Sequence, residues 1–325
     1  MKTIIIIGAG QLGSRHLQGV LKYNKEQLKV VISDPSAEAL AVAEERAAEV
    51  EHSHELEFVN NSSSFPGDAD VVIVATNSNV REVVTADLLS KVKVKYLVLE
   101  KVLFQDPEAY ARVASLLNEK GVTTYVNHPR RLTPAYAAIS EKIAQVGGRS
   151  FFSVTGENWD LGCNALHMID LFVFLSGSPL KSINTDGIDN TVLQSKRSGY
   201  VEFTGCVTGL LENNDAFAIN SFPGERGALT ITAATNGHRW MIQEGGEKCV
   251  LHLSAENKYA VERAEFFQDY QSGLTTGLVS ALLENGSCNL PTYATAAATH
   301  KIFIDELLAK YNSITNQNEL KCPIT

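Results

Sequence analysis

Apolar and polar positions change rhythm once along this chain. Lys2 to Gly8 carries four consecutive isoleucines, the continuous β-branched run that a strand covered on both faces requires. A glycine-rich turn follows, Gly8-Ala9-Gly10-Gln11-Leu12-Gly13, and then a helical stretch in which Leu17, Val20 and Leu21 recur on one face. Leu28 to Ile32, Val71 to Ala75, Tyr96 to Leu99 and Thr123 to Val126 read as further buried strands. Helices are predicted between them over Ser36 to Val50, entered by Pro35, over Val80 to Leu89, and from Asp106-Pro107 to Gly121. Strands alternating with helices of this length predict an α/β fold with a parallel, doubly wound sheet.

After Pro134 the pattern is different. A helix (Ala135 to Gln145), a strand (Phe151 to Thr155) and a second helix (Asn164 to Leu175) precede a series of strands running to Leu253. Val201, Phe203 and Val207 share one parity, as do Leu229, Ile231 and Ala233, and Cys249, Leu251 and Leu253. Such alternation predicts an antiparallel sheet with one packed face. Helices around Phe266 to Leu283 and Ala294 to Tyr311 close the chain, and the domain boundary is expected within residues 127–134.

Composition narrows the function classes. A chain of 325 residues suits two domains and buries enough surface to need no staples. With 28 basic and 37 acidic residues it lacks the basic excess of a nucleic-acid groove. No apolar run approaches the ~18 residues of a membrane span. The start is only faintly signal-like and breaks at Gln11, so a cytoplasmic protein is expected. Five scattered cysteines suggest reduced thiols, and no cysteine or histidine pair has metal-ligand spacing, so no metal is expected. His52 and His54, in an acidic stretch, read as exposed. The expected partner is a small molecule.

The Gly-x-Gly-x-x-Gly spacing is weak evidence alone, but here it follows a buried strand and opens a helix, as its mechanism needs. Gly8 turns the chain, Gly10 lets backbone approach a pyrophosphate, and Gly13 allows close packing; Gln11 and Leu12 lie between them at the helix mouth. Asp34, 21 residues past Gly13, ends the second strand. A carboxylate there accepts hydrogen bonds from ribose hydroxyls and repels a 2′-phosphate, which favours NAD over NADP, although Ser33 and Arg46 stand near enough to accommodate a phosphate.

The sequence resembles the glucose–fructose oxidoreductase / inositol dehydrogenase / MocA (Gfo/Idh/MocA) family over nearly its whole length. The resemblance is carried by the glycine motif, Ala75-Thr76-Asn77-Ser78, Glu100-Lys101, Asn127 to Pro134 (NHPRRLTP), Leu166-His167-Met168-Ile169-Asp170 and Leu290-Pro291-Thr292-Tyr293. It implies an NAD(P)-binding Rossmann domain (1–127). A substrate-binding α+β domain (128–325) would follow, whose open, mainly antiparallel sheet often builds a homodimer or homotetramer. It also implies hydride transfer between nicotinamide and a secondary hydroxyl or ketone of a sugar, inositol or sugar derivative.

By the same resemblance, Lys101 would polarise the reacting oxygen, with Glu100 pairing with it, positioning it or simply ending the strand; Val102 replaces the family's proline. His167 would move the hydroxyl proton, and the two catalytic groups are expected to meet over one bound dinucleotide. Asp170 would touch the ring or serve as a structural acid. Arg131 would hold a substrate carboxylate or phosphate or make an interdomain salt bridge, while Arg130 reads as solvated. Thr76, Asn77, Glu100 and Lys101 would line the nucleotide, and Arg131, Asn164, Asp170 and Trp159 the substrate. The acid that relatives carry four residues before the histidine is Cys163 here. Two other readings stand beside a dehydrogenase: a nucleotide-bound regulator without chemistry, and a redox-neutral enzyme that uses bound NAD transiently.

Overall fold

The isoleucine run becomes the centre of a six-stranded sheet. A computed structural model describes all 325 residues. Its contacts divide the chain into two units: Met1–Phe104, Glu108–Pro129 and Asp269–Ala294 form the first; Gln105–Pro107, Arg130–Gln268 and Thr295–Thr325 form the second. A division at one point near residue 128 therefore misses a returning segment, because 269–294 packs with the N-terminal part.

The first unit contains β1 (Lys2–Ile7), α1 (Gln11–Leu21), β2 (Leu28–Ser33), α2 (Ala37–Ala48), β3 (Glu55–Val59), β4 (Asp68–Val74), α3 (Arg81–Lys91), β5 (Lys93–Leu99), α4 (Ala109–Lys120) and β6 (Thr123–Val126). All six strands are parallel in the order β3-β2-β1-β4-β5-β6. The order reverses between β1 and β4, and in such sheets ligands bind outside the carboxyl ends of the strands at that switch. Ile4, Ile5 and Ile6 are fully buried in β1, as are Val71 to Val74 in β4. The returning segment reaches the far edge of the sheet, where Val126 N–H donates to Pro291 O and Tyr125 bridges to Thr292.

β3 has no counterpart in the hydrophobic pattern. It is an edge strand in which Glu55 and Glu57 break up a short apolar run, as edges tend to carry charge. Just before it, His54 is buried, which corrects its reading as exposed. Its Nδ1 accepts from Leu28 N–H at 3.1 Å and its Nε2 lies 2.8 Å from Tyr23 O, a pair that defines the neutral Nε2–H tautomer. Burial holds its pKa below the ordinary histidine value, against the opposing pull of the Tyr23 carbonyl. A base with a lowered folded pKa binds protons more readily when unfolded. Its stabilisation is therefore present above pH ~6.5 and is lost as pH falls from there through the lower folded value. Urea unfolding at pH 7.5 and 5.5 is expected to show a smaller pH-dependent loss for His54→Gln than for the wild type; equal losses would remove His54 from the account.

The second unit begins with α5 (Pro134–Val146), β7 (Ser150–Glu157) and α6 (Leu161–Ser176). It continues through β8 (Leu180–Asn184), β9 (Leu193–Gln194), β10 (Val201–Glu202), β11 (Gly205–Leu211), β12 (Ala216–Phe222), β13 (Thr230–Thr235), β14 (His238–Gln243), β15 (Cys249–Ser254) and β16 (Glu262–Glu265). Eight strands form one sheet, β16-β15-β14-β13-β7-β12-β11-β8, antiparallel except for β7 beside β12, and β9 pairs with β10 separately. The fold is thus α/β overall, a parallel Rossmann-like sheet followed by a mainly antiparallel one. Phe152, Val154, Phe217, Ile219, Ile231 and Ile242 are buried, and Phe172 of α6 stacks on Phe152. In β15 the parity differs from expectation: Val250 and His252 pair with buried Ile242 and Trp240, whereas Leu251 pairs with exposed Met241.

α7 (Gln271–Ser280) belongs to the first unit and is shorter than predicted, because residues 281–285 widen into a π turn; α8 (Tyr293–Thr315) ends the helical part of the chain. All five cysteines are free thiols. No helix is long and apolar enough to cross a membrane.

Candidate cofactor and catalytic site

Each glycine of the turn after β1 has its own steric reason. Gly8 has φ +97°, a conformation that side chains strain to adopt. A Cβ on Gly13 would lie 1.7 Å from Gly8 O, so the helix can meet the turn only without one. A Cβ on Gly10 would meet nothing within 4 Å, and its φ of −62° is ordinary. The structure itself therefore does not require glycine at position 10, and an approaching ligand is the remaining reason for it. Gly10 is also the N-cap of α1; it has no side chain to cap the free N–H groups of the first turn, and no acid stands there. Those N–H groups and the helix dipole suit a diphosphate.

Asp34 sits half-buried just past β2, its Oδ2 accepting from Ala9 N–H and its Oδ1 from Ser36 N–H, both at 2.8 Å. The carboxylate is thereby fixed against the glycine turn, as a ribose-binding acid must be, and each oxygen keeps further acceptor capacity. Arg46 of α2 reaches the same turn, donating to Gln11 Oε1 at 2.8 Å and to Ser14 Oγ. Past β4, Asn77 is exposed, and Thr76 Oγ1 is buried without a hydrogen-bond partner, so this loop has a donor and acceptor to offer. The donors, the open Gly10 and the fixed acid together fit a dinucleotide.

Lys101 follows β5 at the carboxyl edge of the same sheet, and the Lys101–Val102 peptide is cis. Glu100 turns its carboxylate inward. Oε1 lies 2.9 Å from His16 Nε2 of α1 and accepts from Asn127 Nδ2 at 2.6 Å. His16 Nδ1 lies 2.8 Å from Thr275 Oγ1 of α7, and Asn127 also donates to Gln271 at 3.3 Å. This buried network locks the residue before Lys101. Glu100 is thus a support of the lysine's strand end. Arg81, the first residue of α3, holds the other side: it donates to the carbonyls of Val102 and of Leu103, the latter at 2.9 Å, and to Thr76 O.

In the second unit His167 lies half-buried on α6, near its start. Two expected substrate groups bind one another instead: Arg131 makes a two-pronged pair with Asp170, at 2.8 Å from Nε and 2.7 Å from Nη2. Asp170 is buried and Arg131 half-buried, and the guanidinium also stacks over Phe174. Asp170 is thus a structural acid bound to an arginine, and the salt bridge of Arg131 lies within the second unit rather than between domains. Trp159 is buried with its indole N–H donating to Asn220 O at 2.8 Å, so it is a packed loop tryptophan rather than a pocket wall. Asn164 braces the same loop, donating to Trp159 O at 2.8 Å.

Arg130 corrects its solvated reading in the same way. It forms a half-buried ion pair with Glu244, which also accepts from Tyr136 OH at 2.7 Å. Burial favours the neutral acid, but Arg130 and its hydrogen bonds outweigh that and hold the Glu244 carboxyl below its ordinary value. Beside the start of α6, a cavity of about 850 Å³ is lined by Asn158, Asp160, Glu202, Lys196 and Arg226 among others. Buried Glu202 of β10 accepts from Cys163 N–H at 3.2 Å, so a carboxylate does stand near position 163, brought from a distant part of the sequence.

Residues 2–128 match the family described as GFO_IDH_MocA, an oxidoreductase family with an NAD-binding Rossmann fold. Over that span the chain is similar to the Rossmann domain of the Gfo/Idh/MocA oxidoreductases. Solved structures share the fold of the whole chain. Levoglucosan dehydrogenase in complex with NADH superposes with TM-score 0.74 at 14% identity, covering 100% of both chains. UDP-N-acetylglucosamine 3-dehydrogenase from Acidithiobacillus ferrooxidans gives 0.67 at 14%, covering 95% of this chain and 97% of its own. The transcriptional regulator Gal80p from Kluyveromyces lactis gives 0.73 at 14%, covering 96% and 89%. No curated protein sequence matches the chain.

The glycine turn, Asp34 and Lys101 thus lie along the carboxyl ends of the strands of one Rossmann-like sheet. The strand end that carries Lys101 is held by three side chains that no motif marks: His16, Arg81 and Asn127.

Proposed function

We propose that the protein is an NAD-dependent oxidoreductase that moves a hydride between nicotinamide and a secondary carbinol of a carbohydrate-like substrate. The observation that carries this reading is the pairing, in one sheet, of a glycine turn open to a diphosphate at Gly10 with Lys101 braced at the carboxyl end of β5. Bound NAD would supply the hydride acceptor. Gly8, Gly10, Gly13, Gln11 and Leu12 hold the diphosphate, Asp34 the ribose, and Thr76 and Asn77 the nucleotide's inner side. The Lys101 ammonium orients the substrate oxygen and stabilises the negative charge that grows on it. The His167 imidazole takes the hydroxyl proton and returns it in the reverse direction. The two dehydrogenases of like fold are named for carbohydrate substrates.

The test is NADH formation across sugars, sugar acids, amino sugars, inositols and nucleotide sugars. Turnover of at least one supports the reading; NADH binding without turnover of any would favour the regulator reading, to which the likeness with Gal80p lends weight. Product formed without net NADH would identify a redox-neutral enzyme. Asp34 carries a separate expectation about the cofactor. Asp34→Ser removes the charge that repels a 2′-phosphate, so the ratio of NAD to NADP efficiency is expected to fall by about tenfold or more. An unchanged ratio would place the acid away from the ribose.

A further inference from the structure

Arg81 is 1% exposed and stands in the first turn of α3, where the helix dipole disfavours a cation. Burying a guanidinium is expensive unless its N–H groups are well matched. Here the two terminal nitrogens are aimed at backbone: Nη2 donates to Thr76 O in the loop after β4, and Nη1 donates to Val102 O and Leu103 O in the loop after β5. A planar fork of fixed shape can bridge two loops in one register; an ammonium, a point charge on a flexible stem, cannot reproduce that.

We infer that Arg81 is a positioning residue that locks the Thr76 loop and the Lys101 loop together, so that a nucleotide bound against the first fixes the lysine of the second. The inference rests on the proposed role of Lys101, but its consequences are read without turnover. Glu100, anchored by His16 and Asn127, holds the chain before the lysine, and Arg81 holds the chain after it. Arg81 touches neither substrate nor cofactor in this account and acts through the backbone.

The test compares amide hydrogen exchange of residues 76–79 and 101–104 in the wild type and Arg81→Lys, with and without NADH. In the wild type NADH should slow exchange in both loops. In Arg81→Lys both loops should exchange faster together while the amides of β4 and β5 keep their protection, and NADH should bind about tenfold more weakly, as expected when charge-assisted hydrogen bonds are lost. In Arg81→Ala, added guanidinium ion should restore NADH affinity and methylammonium should not. Should Arg81→Ala fail to fold, the exchange comparison in Arg81→Lys decides alone. Faster exchange in one loop only, loosening of the strands as well, or restoration by either cation equally would overturn the inference. On any sugar the wild type turns over, Arg81→Lys should lower kcat while the sugar KM stays near its wild-type value; a change confined to KM would also overturn it. Absence of turnover in the wild type itself would remove the proposed function and leave the exchange and binding results to decide the clamp.

Discussion

Alanine at Gly10 is expected to leave the protein as stable as the wild type and to weaken NADH binding by about tenfold or more, whereas alanine at Gly13 should lower stability and abolish binding. The two residues lie in one turn, yet the structure asks different things of them. At Gly10 the backbone is in an ordinary conformation and a methyl group would touch no protein atom within 4 Å. Such a methyl intrudes only on a ligand, and a loss of about 1.4 kcal/mol or more in affinity follows if a diphosphate lies there. At Gly13 the methyl would sit 1.7 Å from Gly8 O, so α1 must move off the turn and take the free N–H groups of its first turn with it. Thermal unfolding and NADH fluorescence titration of both variants separate the cases. Equal affinity of Gly10→Ala and the wild type would mean that nothing approaches this turn.

The second large effect is on turnover. Lys101→Ala and His167→Ala should each lower kcat by about 10²–10⁴-fold, the range for a positioned proton-transfer or charge-stabilising group. NADH affinity should barely change, because neither side chain is proposed to carry the diphosphate or ribose. Single-turnover kinetics beside NADH titration would show the split. Wild-type turnover in either variant would refute its assignment, and a large loss of NADH affinity would instead make the residue part of the cofactor site.

What the sequence reveals and what it hides follow from the same physics. Buried parallel strands are continuous apolar runs, so β1, β2, β4, β5 and β6 are legible from Ile4 to Val126. β3 is hidden because a sheet edge needs little apolar surface, and Glu55 and Glu57 sit on it at no cost. The glycine turn is legible because its steric demands fall on neighbouring positions. The support of Lys101 is not, because Glu100, His16, Asn127 and Thr275 meet only when four distant segments are folded together. Arg81 did leave a trace: a basic residue in the first turn of a helix conflicts with the dipole, and such local conflicts mark functional or strained places. Arg131 and Asp170 show an ambiguity of another kind. Residue types suited to substrate binding are equally suited to each other, and spacing cannot tell the two apart.

Hydride transfer itself is measured most directly by isotope. NADH carrying deuterium at the reactive carbon of the nicotinamide would be mixed with the protein and the keto form of whichever sugar it turns over. One deuterium should appear at the new carbinol carbon, in equal amount to the NADH consumed and with none taken there from heavy water. Product whose carbinol hydrogen comes from solvent, or no consumption of NADH with any keto sugar, would contradict the account.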